Sequence, residues 1–302
     1  MMGKLDGKTA LVTGASRGIG KAVAMLLASE GAKVAINFAH NESKAKEAAD
    51  EIIKLGGKAI LVQADIGKAS EARAMVERVA NEFSHLDILV NNAGISVAAQ
   101  FMEMTSRDTQ RHIDINLMGT VWMCRAVWPH MQARQYGRIV NTGSGAFAGM
   151  WAFAIYGASK GDIFSLTRGL AAEGKDCGIK VNSVNPGAFS RMLLAQQPET
   201  SPMYQHAQEN LPAEQVSPAV AYLAHESCPV TGECFDVMGG NVQRTYLAQT
   251  SGFTDPNLSI ETVAERWDEV MGDPQDPVIG LGSVDTELWH IKPYTRGKTE
   301  TG

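Results

Sequence analysis

A doubly wound α/β fold around one parallel, seven-stranded sheet is what this sequence predicts, on three observations. Short apolar runs alternate with longer amphipathic ones between residues 9 and 185. The glycine-rich stretch Thr13-Gly14-Ala15-Ser16-Arg17-Gly18-Ile19-Gly20 directly follows the first apolar run. The helix-length intervals between runs require parallel pairing with right-handed crossovers. In such sheets ligands bind at the carboxyl ends of the strands, and the motifs below fall there.

Strand one spans Thr9–Thr13, and a helix over Gly18–Ser29 follows the glycine turn. Strand two (Lys33–Phe38) feeds a helix over Glu42–Leu55, and strand three (Ala59–Gln63) one over Ser70–Phe83. Strand four (Leu86–Val90) leads into a long helix, Ser106–Met131. Strand five (Gly137–Asn141) leads into a helix over Ile155–Glu173, and strand six is Lys180–Asn185. Pro186, Pro198, Pro202, Pro212 and Pro218 then break the rhythm, which marks residues 186–225 as a lid with two short helices. Strand seven, Glu233–Val237, ends at Gly239-Gly240. Residues 1–245 form the main domain on this reading, and 246–302 a C-terminal extension. Ser259 caps a helix over residues 259–271, with Ile260, Val263, Ala264, Trp267, Val270 and Met271 on one face and Gly272 as its stop. So short a helix is marginal alone in water. Its apolar face is expected to pack on the lid, the sheet edge or a neighbouring subunit. Beyond Asp273 the chain is rich in Pro, Gly and Thr, and poor order is expected.

Composition excludes several classes. The net charge is −6, with no basic patch to hold nucleic acid. No apolar run approaches the roughly 20 residues that span a bilayer, and the first strand begins too early for a signal peptide. Cys124, Cys177, Cys228 and Cys234 form no Cys-x-x-Cys pair, so neither zinc nor a disulfide framework is expected. The expectation is a cytoplasmic protein with reduced thiols and no metal.

The glycine stretch has a physical reading of its own. Gly14 supplies a sharp turn that glycine alone adopts cheaply. Gly18 and Gly20 allow close approach of a pyrophosphate and of the sheet. The helix starting near Gly18 then offers unpaired N–H groups and a partial positive charge to phosphate.

Downstream, Tyr156 and Lys160 stand four apart on a predicted helix and share a face. A phenol is a poor acid or base at neutral pH. A nearby ammonium is expected to favour the phenolate and lower the phenol's pKa, which makes tyrosine usable as a general acid or base. Ser144 follows strand five in Thr142-Gly143-Ser144-Gly145, where a hydroxyl can orient a carbonyl oxygen. Asn116 sits mid-helix, close to the same end of the sheet.

With these residues the chain resembles the short-chain dehydrogenase/reductase family, which has a Rossmann-like fold, over roughly residues 5–245. The resemblance rests on Thr13 to Gly20, Asp65, Asn91-Asn92-Ala93-Gly94, Asn116, Ser144, Tyr156, Lys160 and Pro186-Gly187. It implies that Asn116, Ser144, Tyr156 and Lys160 form a catalytic tetrad, with Asn116 holding a water of a proton relay and Lys160 binding the nicotinamide ribose. It further implies a cofactor cradle of Gly14, Ser16, Arg17, Gly18, Ile19, Gly20, Asn92, Ala93 and Gly94. Asp65 and Ile66 would face the adenine, and Pro186, Gly187 and Phe189 the nicotinamide. Arg191 stands where members commonly carry threonine. The glycine stretch is similar to bacterial 3-oxoacyl carrier-protein reductases. The region from His225 to Gly240 is similar to the hydroxyacyl-CoA dehydrogenase domains of multifunctional enzymes.

Strand two runs into Asn37-Phe38-Ala39-His40-Asn41 without the acid that NAD-preferring folds place there, and Arg17 stands ready for a 2′-phosphate. The expected cofactor is NADP(H). The expected reaction is reversible reduction of an apolar ketone to a secondary alcohol, the substrate being a 3-oxoacyl thioester or an aryl or alicyclic ketone. The alternatives are an oxidative hydroxyacyl-CoA or hydroxysteroid-like dehydrogenase and a non-catalytic NADP-binding scaffold. Ser96, Phe147, Trp151, Phe153, Met192 and Leu193 are expected to line the substrate pocket. The helices carrying Val121, Trp122, Trp128, Leu166 and Leu170 are apolar on more than one face, which predicts a homodimer or homotetramer.

Overall fold

The computed structural model describes residues 4–189, 199–272 and 279–280. The chain divides into two compact units, residues 1–247 and 248–302.

The larger unit is built on strands whose alternate side chains enter different cores. β1 (Thr9–Val12), β2 (Lys33–Phe38) and β4 (Ile88–Asn91) send Ala10, Val12, Val34, Ile36, Ile88 and Val90 to one face. There they meet α1 (Gly18–Ser29) and α2 (Glu42–Lys54). Leu11, Ala35 and Leu89 point the other way, toward α3 (Ala69–Phe83), α5 (Gly119–Arg134) and α6 (Ala154–Gly174). Burial on both faces is why these strands read as nearly unbroken apolar runs.

β3 (Lys58–Gln63), β5 (Gly137–Thr142), β6 (Ile179–Gly187) and β7 (Cys234–Met238) extend the sheet. The order is β3-β2-β1-β4-β5-β6-β7-β8, parallel from β3 through β7. The eighth strand, β8 (Asn241–Thr245), corrects the expected seven. Gly239-Gly240 does not end the sheet but turns it. Both glycines have positive φ, 57° and 78°, the pairing that a tight two-residue hairpin demands. β8 then runs antiparallel, with Val237 opposite Val242. Arg244 forks onto Glu233 at 2.8 and 2.9 Å and fastens the hairpin.

The predicted helix from Ser106 is continuous but not uniform. α4 (Ser106–His112) passes into a π-helical turn, Ile113–Met118, and then into α5. The proline-punctuated segment after β6 contributes α7 (Pro202–Asn210) and α8 (Ser217–Ala224). No helix among the described residues is long and apolar enough to cross a membrane.

In the smaller unit, Ser259 caps α9 (Ile260–Glu265) by accepting the Thr262 N–H at 3.1 Å. The helix expected over 259–271 breaks at Arg266 and resumes as α10 (Trp267–Met271). The Arg266 guanidinium pairs with Glu269 at 2.7 and 2.8 Å and lies 4.1 Å over the Phe253 ring. β9 (Ala248–Gln249) pairs antiparallel with β10 (Ile279–Gly280). The expectation of poor order beyond Asp273 otherwise falls outside the described residues.

Gly240 has open space where a Cβ would stand, so Gly240→Ala isolates the backbone cost of its left-handed conformation. The expected loss is about 1–2 kcal/mol in urea unfolding, with Gly240→Asn costing less.

Candidate active site

The site begins at the end of β1. Thr13 Oγ1 accepts the N–H groups of Asn92 and Ala93 at 2.9 and 3.0 Å. Asn92 Nδ2 donates in return to Thr13 O (2.9 Å) and Gly14 O (3.2 Å). From the other side, buried Asn37 accepts the Gly14 N–H at 3.2 Å and donates to Val62 O and Ala64 O. The turn is thus held from β2, β3 and β4 together. Gly14 and Gly18 have positive φ, and a Cβ on Gly14 would lie 2.9 Å from Ala93 Cα. A Cβ on Gly20 would collide with Asn92. No side chain caps α1, and the space beside Gly18 is open. An uncapped helix start with open space beside Gly18 fits a pyrophosphate. Ser16 and Arg17 lie on the same turn, half-buried and exposed, with Ile19 packed against the core.

Other cofactor candidates line the same edge. Asp65 follows β3, its Oδ1 accepting the Gly67 N–H at 3.0 Å. Ile66 is turned into the core beneath Gly119. Pro186 and Gly187 close β6, and a Cβ on Gly187 would meet the Met238 side chain. Phe189 donates its N–H to Leu211 O at 2.7 Å and sets its ring edge-on to Tyr204, 5.2 Å between centroids.

The π-helical turn places Asn116. Gly119 N–H reaches back five residues to Asp114 O, which widens the helix. Asn116 is fully buried, and its Oδ1 accepts the Ile95 N–H (2.8 Å) while Nδ2 donates to Ile95 O (2.9 Å) and Ser159 Oγ (3.1 Å). Its side chain therefore clamps the loop after β4. A Cβ on Gly94 would lie 3.1 Å from Asn116 Oδ1 and 3.5 Å from Lys160 Nζ, so glycine is what lets the two approach.

Ser144 begins a 3₁₀ turn (Gly145–Ala148), accepts the Ala146 N–H at 3.2 Å, and hydrogen-bonds the Tyr156 phenol. Lys160 is buried and donates to Thr142 O at 2.7 Å. Burial pushes its amine down to about 8. Burial raises the Tyr156 phenol, and the Ser144 hydrogen bond works against that rise. The expected lowering by the Lys160 ammonium is thus corrected: here loss of solvent dominates, and the phenol keeps its proton at neutral pH.

Two aromatic edges hold the phenol ring. His112 stands 6.3 Å away at 69°, and Phe153 6.0 Å away at 65°. Of the pocket candidates, Phe147 stacks on Phe164 at 6.1 Å and so belongs to the packing of α6. Ser96 is half-buried on the loop after β4, and Trp151 is 80% exposed. Ala99 N–H donates to Ala152 O at 2.9 Å, which joins these two loops. Val97, Phe101, Met102 and Met150 on them are also exposed. Arg191, Met192 and Leu193 lie outside the described residues. The sequence reading missed the roles of His112, which ends a run of polar residues, and of Asn37, a lone polar residue in an apolar strand, because neither setting carries a local signal of distant partners.

From pH 8 to 10.5 the unfolded chain keeps a proton that native Lys160 has shed, so this residue makes stability rise with pH across that window. Against Lys160→Met as reference, urea titrations are expected to show the native protein gaining about 3 kcal/mol between those limits. A pH-independent difference would refute the buried, depressed amine.

The family described as short chain dehydrogenase matches residues 8–201. A 3-oxoacyl-[acyl-carrier-protein] reductase of Synechocystis is 37% identical over 247 residues, covering 80% of this chain and 99% of that protein. The peroxisomal hydratase-dehydrogenase-epimerase of Saccharomyces cerevisiae is 34% identical over 276 residues, covering 87% of this chain. The match spans only 30% of that yeast protein's length. A crystal structure of a short chain dehydrogenase from Burkholderia cenocepacia in complex with NADP superposes with a TM-score of 0.70 at 34% identity, covering 78% of this chain and 98% of that one. With its glycine turn, its tyrosine–lysine helix face and this matched span, the chain belongs to the short-chain dehydrogenase family of oxidoreductases.

Proposed function

We propose that this enzyme reduces an apolar ketone to a secondary alcohol with NADPH, reversibly, and that its carbonyl substrate is a 3-oxoacyl thioester ahead of an aryl or alicyclic ketone. The observation that carries this reading is the convergence of Ser144, Tyr156, Lys160 and Asn116 at the carboxyl ends of β4 and β5. When bound, the nicotinamide supplies the hydride. The protein's residues do the rest. Tyr156, kept protonated by burial, donates its proton to the carbonyl oxygen. Ser144 orients that oxygen. Lys160, one helical turn along, supplies charge that steadies the phenolate left behind. Asn116 holds the wall formed by Gly94 to Ser96.

Gly14 to Gly20, Asp65, Asn92 to Gly94, Pro186, Gly187 and Phe189 would hold the cofactor. NADPH is favoured because no acid follows β2 before Glu42, and because Arg17 stands exposed in the glycine turn. The NADP carried by the Burkholderia relative supports the same choice. The thioester is supported by the Synechocystis relative's name and by the exposed apolar rim of Phe101, Met102, Met150 and Trp151. The yeast relative favours a second reading, oxidation of a hydroxyacyl thioester on the same residues. A non-catalytic scaffold fits less well, since the full set of reactive side chains is present. A cleft of about 350 Å³ along α5 and α6, lined by Val121, Arg125, Trp128, Leu166 and Leu170, supports a homodimer or homotetramer. Four free thiols support a cytoplasmic location.

NADPH oxidation with acetoacetyl-CoA, ethyl acetoacetate, acetophenone and decalone tests the reading. Turnover is expected with at least one, and Tyr156→Phe is expected to lower kcat on the order of 10²–10⁴-fold. A variant that stays active removes the proposed proton donor. Arg17→Ala is expected to lower kcat/KM for NADPH about tenfold to hundredfold while leaving NADH nearly unchanged. Native preference for NADH would overturn the cofactor assignment.

A further inference from the structure

His112 has no part in the chemistry described above, yet it is fully buried against the catalytic tyrosine. It sits where α4 passes into the π-helical turn. Its two ring nitrogens face unlike partners. Nδ1 lies 2.7 Å from Asp108 O, an acceptor, so Nδ1 carries the proton. Nε2 lies 3.1 Å from Val97 N, a donor, so Nε2 offers its lone pair. The imidazole is therefore neutral and in a single tautomer.

Three anchors at alternate residues hold the loop after β4. Ile95 is clamped through both its N–H and its carbonyl by Asn116. Val97 gives its N–H to His112. Ala99 gives its N–H to Ala152 O, just ahead of α6 and Tyr156. The middle anchor is the one that also touches the phenol ring.

We propose that His112 is a positioning residue, holding the Val97 loop and the Tyr156 ring at a fixed separation so that a carbonyl seated against the loop meets the phenolic hydroxyl. This assignment rests on the reductase reading above. Two properties are needed, an acceptor for Val97 and an aromatic edge for Tyr156, and substitutions separate them. His112→Gln keeps an acceptor near the Nε2 position. His112→Phe keeps the ring edge and removes the acceptor.

With acetoacetyl-CoA or whichever ketone of the panel turns over fastest, the full-length His112→Phe enzyme is expected to lose on the order of tenfold to hundredfold in kcat, the scale of a misplaced reacting group. Its Kd for NADPH, read by fluorescence, is expected to stay at the native value, since Asn92 and Ile95 at the cofactor end of the loop keep their own anchors on Thr13 and Asn116. His112→Gln, which keeps the acceptor but not the ring edge, is expected to regain part of that loss. The ¹⁵N spectrum of the unmodified protein, labelled at histidine, is expected to show His112 as the Nδ1–H tautomer. Native kcat in His112→Phe overturns the proposal, as do an Nε2–H or averaged tautomer and a His112→Gln enzyme as slow as His112→Phe. If His112→Phe does not fold, the tautomer and the glutamine variant decide. Tyr156→Phe run alongside separates the two ideas. An active Tyr156→Phe sinks the reductase reading, whereas an inactive one beside a fully active His112→Phe sinks only the positioning role.

Discussion

The site depends on a row of buried hydrogen bonds that joins the carboxyl ends of the central strands where their backbone pairing stops. Thr13 and Asn92 exchange bonds between β1 and β4. Asn91 continues the row to Asn141 on β5 at 2.9 Å, and Asn141 donates to Thr167 on α6 at 3.0 Å. The row thus runs from the glycine turn to the helix of Tyr156 and Lys160. Parallel strands must open at this end to admit a ligand, and side-chain amides replace the missing ladder. In a low-dielectric interior such bonds are strong when made and costly when missing, so the two halves of the site are held in register.

Against that rigid floor, the reactive groups sit in an environment that disfavours charge. Burial pushes the Lys160 amine down to about 8 and raises the Tyr156 phenol. The lysine shift brings that amine's titration toward neutral pH, whereas the phenol shift holds the proton on Tyr156. The bond from Lys160 to Thr142 O keeps the amine aimed at the strand end.

The π-helical turn converts an ordinary surface helix into part of the site. Its widened backbone brings Asn116 onto the loop after β4, while His112, one turn earlier, faces the next anchor of that loop. The two clamps thus sit on consecutive turns of one continuous helix. Arg244 performs the corresponding task at the sheet's far edge, where its fork onto Glu233 holds the hairpin that the paired glycines allow.

By itself the sequence determined the alternation of strands and helices, the glycine turn and the tyrosine–lysine face, because each is a local pattern with a period or spacing that only one geometry satisfies. The added strand β8 was also legible in principle, since Gly239-Gly240 followed by an extended stretch is a hairpin signal as well as a strand end. Only the tertiary structure decided which way the phenol's acidity moves, because burial arises from elements far apart in the chain. It alone showed that Asn37 and Asn92 brace the glycine turn and that Phe147 faces Phe164. It alone placed the π-helical turn, because Ile113 to Met118 read as plain helix and the widening becomes favourable only when Asn116 finds Ile95 across the site. Partners separated by tens of residues leave no periodic trace; packing chooses them.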